Sequence, residues 1–169
     1  MPIVLVRVDD RLIHGQILES WIPSTRAQEL IVANDTLADD QVQKMIMQAA
    51  IPYSVDLIID SVLEVASILQ QPEGRDVRRM VIVEDPVDAL RLRRAGVVFD
   101  QLNLGNLVSS EVTICLSRTV SIGGESLQAL RTILQEGIKV NIQSVPFEKA
   151  VDLSEFCQRA KKVMVHHEV

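Results

Sequence analysis

The sequence predicts an α/β fold: three layers, α/β/α, around a central, mainly parallel sheet of about six strands. Three observations carry that prediction. Short apolar runs rich in Val, Ile and Leu recur along the chain, as strands covered on both faces require. Amphipathic helical stretches stand between them. Strand and helix alternate at a spacing that makes successive βαβ units, which place helices on both faces of one parallel sheet.

Each element has its own justification. Ile3–Val8 is short, β-branched and apolar, and reads as the first strand. A helix follows from about Gly15 to Trp21, and Glu29–Asn34 repeats the strand pattern. In Asp39–Ala50, Val42, Met45, Ile46, Ala49 and Ala50 keep the i, i+3, i+4, i+7, i+8 stripe of a helix with one face on a core. Ser54–Ile59 is the third strand, Ser61–Gln71 a helix and Arg79–Glu84 the fourth strand. Asp85-Pro86 supplies an N-cap and a first-turn proline, and Gly96 closes that helix. Val97–Leu104 reads as the fifth strand; Val108–Gly124 reads as a loop, a short strand, or both. Glu125–Glu136 is a helix stopped by Gly137, and Lys139–Ser144 is the last strand.

Composition bounds the function. A chain of 169 residues is most simply one domain, 1–169, with a single sizeable core. Apolar residues are 47% and charged ones 24%, while aromatics are only 3%, so Val, Ile, Leu and Ala must fill the core. A net charge of −6 and a pI near 5.1 argue against a nucleic-acid binder that relies on a basic surface. No apolar run approaches the roughly 18 residues needed to span a bilayer, and the chain enters a strand with no leader-like segment. Cys115 and Cys157 have no metal-type spacing and read as reduced thiols, so a cytoplasmic location is expected.

One stretch carries more charge and punctuation than a stable strand end calls for: "VRVDDRLIHGQ", Val6 to Gln16. In an open parallel sheet, ligands bind beyond the carboxyl ends of the strands, and this stretch leads from the first strand into the first helix. Free backbone N–H groups at the helix start favour an anion, and Gly15 has no Cβ to keep it away. Arg7 and Arg11 are the local cations. A histidine beside such a pocket suggests phosphoryl handling, with His14 as acceptor and Arg11 clamping phosphate or docking a donor. Arg7 either contacts the phosphate with Gly15 or pairs with Asp9 or Asp10. Those two carboxylates cannot both face a phosphoryl group, so at least one must orient an arginine or cap the turn. Histidine's reference pKa of roughly 6.5 makes the neutral acceptor plentiful near neutral pH. Trp21, seven positions after His14, lies on nearly the same helix face and reads as a core aromatic. Leu12 and Ile13 offer at least one outward apolar contact to a partner. Arg91, Arg93 and Arg94 read as a solvated helix face, and His166 and His167 as tail.

"VRVDDRLIHGQ" followed by Trp21 resembles the active-site signature of enzyme IIB of the phosphoenolpyruvate-dependent sugar phosphotransferase system (PTS), mannose–fructose–sorbose family. The likeness spans essentially the whole chain, through "IVANDTLADD…QAAIP" (Ile31 to Pro52), "NLGNL" (Asn103 to Leu107), "RTVSI" (Arg118 to Ile122) and "VPFEKAVDL" (Val145 to Leu153). It implies a six-stranded sheet in the order 3-2-4-1-5-6 with the first strand central. It further implies a cytoplasmic protein-N-phosphohistidine–sugar phosphotransferase. His14 would carry a phosphohistidine, at Nδ1 in the family, loaded by phosphohistidine of enzyme IIA. The sugar acceptor arrives through the membrane components IIC and IID. No cofactor or metal is implied, and homo-oligomerisation is left open. Two places depart from the family pattern: Asn103-Leu104-Gly105-Asn106-Leu107, where "NVGGM" is common, and Gly123-Gly124-Glu125, where an acidic stretch is common. Both bear on partner and sugar specificity.

Other classes fit less well. A histidine phosphatase or mutase reads Arg-His-Gly at its strand end, whereas Ile13 precedes His14 here. The first turn has no G-x-G-x-x-G, which excludes a dinucleotide site of that kind. A regulatory phosphocarrier, phosphorylated at the same His14 but signalling to a protein partner, is the alternative that the residues do not separate from a transporter component.

Overall fold

The strand runs are buried on both sides because helices cover both faces of the sheet they form. The structure, a computed structural model, describes residues 3–71, 77–109 and 114–154; Cys157, His166 and His167 lie outside the described residues. In chain order the first half comprises β1 Ile3–Asp9, a π-helical turn Ile17–Trp21, α1 Ile22–Thr25, β2 Glu29–Ala33, α2 Asp35–Ala38, α3 Gln41–Ala50, β3 Asp56–Asp60 and α4 Val62–Gln70. The second half comprises β4 Arg79–Val83, α5 Pro86–Arg94, β5 Gln101–Val108, β6 Ile114–Cys115, β7 Val120–Ile122, α6 Gly124–Gln135, β8 Lys139–Ile142 and β9 Val151–Asp152.

The parallel strands lie in the order β3-β2-β4-β1-β5-β8, which is 3-2-4-1-5-6 with β8 as the sixth. Strand β1 is central, pairing with β4 on one side (Val6 with Val81, Val8 with Val83) and β5 on the other (Arg7 with Asn103). The chain leaves β1 toward β2 on one flank, while β4 crosses to β5 on the other. This reversal opens a crevice at the carboxyl end of β1. On one face Val6, Val8, Val81, Val83, Leu102 and Leu104 pack against α4, α5 and α6. On the other, Leu30, Val32, Met80 and Ile82 pack against Leu12, Ile17, Trp21, Ile22, Ile51 and Val55.

Several boundaries differ from expectation, each for a physical reason. β5 runs over Gln101–Val108 rather than Val97–Leu104. Val97 and Phe99 are buried, but they lie in the connection after Gly96 (φ 99°) and pair with no strand. The outer end of β5 is extended because Leu107 and Val108 pair with β7. Val108–Gly124 therefore contains strand: β7 joins β5 in parallel, and β6 returns antiparallel to it. The helix expected over Asp39–Ala50 is α3, which starts at Gln41 because the Asp40 side chain caps it by accepting from Gln43 N–H; the short α2 ahead of it is capped in the same way by Asn34, which accepts from Leu37 N–H. The apolar stripe of α3 does not face the core. Val42, Met45 and Ile46 are 67%, 73% and 59% exposed, and only Met47 packs inward.

Candidate functional site: a carboxylate-held histidine at the end of the central strand

Period-two alternation along β1 sends Val6 and Val8 to one core and Arg7 and Asp9 to the opposite face. Beyond Asp9 the chain turns sharply. Leu12 N–H donates to the Asp9 carbonyl at 2.9 Å, and Leu12 itself takes φ 54°, a left-handed conformation unusual for a branched residue. Burial of its side chain among Ile17, Trp21 and Ile22 supports that conformation. Helical turns begin directly after His14, whose carbonyl accepts from Ile17 and Leu18 N–H at 3.0 and 3.2 Å.

Asp9 is the hub. Its side chain is fully buried, and Oδ2 lies 2.9 Å from His14 Nε2 and 2.9 Å from Arg7 Nη2. Arg7 Nε also donates to Oδ2, at 3.2 Å. The other oxygen, Oδ1, accepts from Arg11 N–H at 3.3 Å and lies 3.6 Å from Arg11 Nε. Burial alone would push the Asp9 carboxyl up; the hydrogen bond from His14 and the charge of Arg7 outweigh it and hold the group below the ordinary carboxylate value. An ionised Asp9 can only accept, so Nε2 of His14 carries the proton in this contact, and in the neutral ring Nδ1 then holds the lone pair. Among the described residues no side-chain bond holds Nδ1, and the His14 side chain is 16% exposed.

Arg7 stands beneath the site, not at its surface. All five of its N–H groups are taken: two by Asp9, one by Asn103 Oδ1, one by the Gln143 carbonyl at 2.9 Å and one by the Ser144 carbonyl at 3.1 Å. Its side chain is wholly buried, and burial pushes the guanidinium below its ordinary pKa against the pull of Asp9. The direct phosphate contact expected of Arg7 is therefore replaced by its other expected role, pairing with Asp9. Arg11 is the cation at the mouth: its side chain is 46% exposed and Nη2 donates to Gln16 Oε1 at 3.0 Å. Asp10 faces away from His14, accepting from Asn106 Nδ2 and from Val108 N–H at 2.9 Å, which ties the turn to β5.

Gly15 is exposed, and a Cβ added there would meet nothing within 4 Å, so the fold itself does not demand glycine. Gly105 is different: a Cβ there would overlap the Arg7 guanidinium. Trp21 is a core residue, as expected, but it also touches the site. Its ring centroid lies 4.8 Å from Arg7 Cζ and its Nε1–H donates to the Ser144 carbonyl at 3.0 Å. Leu12 is buried, while Ile13 is only partly buried and is the one of the two that keeps exposed surface. Arg91 and Arg93 are paired within the chain, Arg91 with Asp35 and Asp88 and Arg93 with Glu136, while Arg94 is exposed. Asn103, Gly105, Gln143 and Ser144 are the site residues that sequence reasoning missed. The signal was present in "NLGNL", where an asparagine and a glycine interrupt a buried strand.

A cleft of about 670 Å³ opens beside the turn, lined by Asp10, Glu84, Asp85, Ser109, Gly124 and Glu125 among others. Its carboxylates make it a poor host for an anion, and His14 does not line it. Among the described residues no group of His, Cys, Asp and Glu could hold a metal ion, and no helix is long and apolar enough to cross a membrane.

An open parallel sheet with a carboxylate-held histidine on its central strand end defines a doubly wound α/β protein with its candidate site on the first strand-to-helix turn. Residues 3–168 match the family described as "PTS system sorbose subfamily IIB component", and the chain belongs to that family. It is 30% identical over 162 residues to the PTS system fructose-specific EIIB component of Bacillus subtilis (strain 168), covering 96% of this chain and 99% of that one. The crystal structure of the IIBSor domain of the sorbose permease from Klebsiella pneumoniae superposes with a TM-score of 0.85 at 28% identity, covering 94% of this chain and 98% of that one. The mannose-specific EIIAB component of Escherichia coli (strain K12) is 26% identical over 162 residues, covering 96% of this chain but 50% of that protein. The chain is thus a phosphotransfer IIB component of a sugar phosphotransferase system.

Proposed function

We propose that the chain, as one domain over residues 1–169, accepts a phosphoryl group at His14 from phosphohistidine of a mannose-family enzyme IIA. It then passes the group to a sugar entering through IIC and IID membrane components. This is a protein-N-phosphohistidine–sugar phosphotransferase acting in the cytoplasm. The observation that carries the reading is the 2.9 Å approach of His14 Nε2 to the buried carboxylate of Asp9. With the proton fixed on Nε2, Nδ1 is the nucleophile.

In the first half-reaction the Nδ1 lone pair attacks phosphorus. The new N–P bond forms as the bond to the donor imidazole breaks, and that imidazole leaves with the electron pair. The His14 ring gains positive charge, which Asp9 offsets across the Nε2–H bond. Phosphoryl transfer runs through a loose transition state, so the protein acts chiefly by placing groups and balancing charge on the equatorial oxygens. Arg11 supplies a mobile guanidinium at the mouth, and the first N–H groups of the helix after His14 add partial positive charge. In the second half-reaction a sugar hydroxyl attacks, the N–P bond breaks toward Nδ1, and the hydroxyl proton departs to base or solvent.

EIIAB in the mannose relative's name supports a IIA donor; fructose, sorbose and mannose in the relatives' names show that family membership alone does not fix the sugar. The test is phosphorylation with phosphoenolpyruvate, enzyme I, HPr and the cognate IIA, followed by mass measurement under non-acidic conditions. One phosphoryl group on His14 is expected, with none on His14→Ala. A phosphoryl group that survives in His14→Ala, for instance at His166 or His167, would overturn the assignment.

A further inference from the structure

We infer that Trp21 is a positioning residue: acting through Arg7 and Asp9, it fixes the imidazole of His14 in the orientation and tautomer that leave Nδ1 free. The inference rests on His14 being the phosphoryl acceptor.

The geometry forms a continuous chain of contacts. The indole lies against the guanidinium with Arg7 Cζ 4.8 Å from the ring centroid, within cation–π range. Its Nε1–H and Arg7 Nη2 donate to the same acceptor, the Ser144 carbonyl, at 3.0 and 3.1 Å. A shared acceptor ties the ring and the guanidinium to one point on the segment after β8. On the sheet side, the missing Cβ of Gly105 supplies the space the guanidinium occupies. Arg7 in turn holds Asp9 through two N–H groups, and Asp9 holds His14.

The helix is shaped to deliver the indole. Ile17–Trp21 is a π turn, with Ile22 N–H bonded to the Ile17 carbonyl five residues back. Such turns are rare and, where they occur, frequent at functional sites. Any buried indole must satisfy its N–H; what sets Trp21 apart is that the acceptor it uses is the one that also receives Arg7. With a smaller apolar residue at position 21, the guanidinium loses its aromatic face and its neighbour on the Ser144 carbonyl. Its grip on the Asp9 carboxylate then loosens, and the His14 ring can turn or exchange tautomers.

The experiment uses the full chain, with Trp21→Leu and Trp21→Phe beside the wild type. Two quantities are measured: the ¹⁵N shifts of the His14 ring, and the rate of its phosphorylation by phosphoramidate as the donor concentration is varied. The wild type should show one tautomer, protonated at Nε2. Trp21→Leu should show the second tautomer and a saturating rate lower by about ten- to a hundredfold, since a misplacement of about 1 Å can cost about a hundredfold. The half-saturating donor concentration should change little. Trp21→Phe keeps a ring over the guanidinium and should fall between the two. Folded variants with wild-type ¹⁵N shifts and wild-type rates would make Trp21 a core aromatic only; if Trp21→Leu does not fold, Trp21→Phe decides by the same criterion. A wild type that takes no phosphate from any donor would sink the acceptor role of His14, while the ¹⁵N shifts would still judge Trp21.

Discussion

Asp9 and His14 are joined by a 2.9 Å contact between a carboxylate with no exposure and an imidazole that reaches the surface. The same carboxylate oxygen receives Arg7, so one buried anion both neutralises a buried cation and orients the His14 ring. Removing the charge of Asp9 leaves Arg7 buried without a counter-ion. Asp9→Asn should therefore destabilise the fold by about 3–5 kcal/mol, the range for breaking a buried ion pair by loss of one partner. Urea unfolding measures this; a change within about 0.5 kcal/mol, typical of surface positions, would show that Arg7 needs no counter-charge.

The same carboxylate should leave a mark on acid stability. Asp9 is held below the ordinary value near 3.8, so the unfolded chain takes up its proton first as pH falls. Its stabilising contribution is complete above the ordinary carboxylate value and is lost as pH drops through the lower folded value. Unfolding free energy measured from pH 5 downward should fall steeply below about pH 4 in the wild type. Asp9→Asn should show a shallower slope there. Equal slopes would mean that other carboxylates, such as the exposed Asp35, dominate the acid limb.

Two glycines in the site should respond oppositely to alanine. At Gly105 an added Cβ overlaps the Arg7 guanidinium, and overpacking of this kind costs about 1–3 kcal/mol. At Gly15 the added methyl group meets nothing and the backbone is not left-handed, so stability should stay within about 0.5 kcal/mol. Thermal unfolding separates the two. If Gly15→Ala keeps its stability but accepts phosphate more slowly, the crowding comes from the phosphoryl group or its donor, which is the role expected of Gly15.

Local sequence carried the groups that belong to one short stretch. Arg7, Asp9, Arg11 and His14 were legible because a single strand end and turn holds them all, and the period-two rule places Arg7 and Asp9 on one face. Asn103 and Ser144 were not legible as partners: they lie 96 and 137 residues from Arg7, and only the pairing of β1 with β5 and of β5 with β8 brings them there. The central strands were read correctly because both faces are buried, which leaves an unbroken apolar run. β5 slipped because Val97 and Phe99 are just as buried without pairing, and burial is what an apolar run reports. The outward apolar face of α3 defeats the helical-stripe rule for a related reason: periodicity shows that a helix has an apolar face, not what covers it.

Arg11 tests the division between holding the fold and moving the phosphate. Its side chain is 46% exposed, its Nε is 3.6 Å from Asp9 Oδ1, and among the described residues its guanidinium hydrogen-bonds the side chain of Gln16. An exposed pair at that distance is worth about 0–1 kcal/mol, and the backbone N–H of residue 11 would still reach Asp9 after truncation. Arg11→Ala should therefore unfold within a degree or two of the wild type. In transfer the balance reverses. A guanidinium that swings from Gln16 onto the equatorial oxygens forms charge-assisted bonds in the transition state, worth about 2–4 kcal/mol for a preorganised donor. Phosphorylation of Arg11→Ala by the cognate IIA should then slow by about a hundredfold or more. Arg11→Lys, with a charge but no planar fork, should recover only part of that rate. Rapid-quench measurement of phosphoprotein formation decides the matter. An unchanged rate in Arg11→Ala would leave Arg11 as a surface charge and place the stabilisation of the phosphoryl oxygens on the helix N–H groups alone.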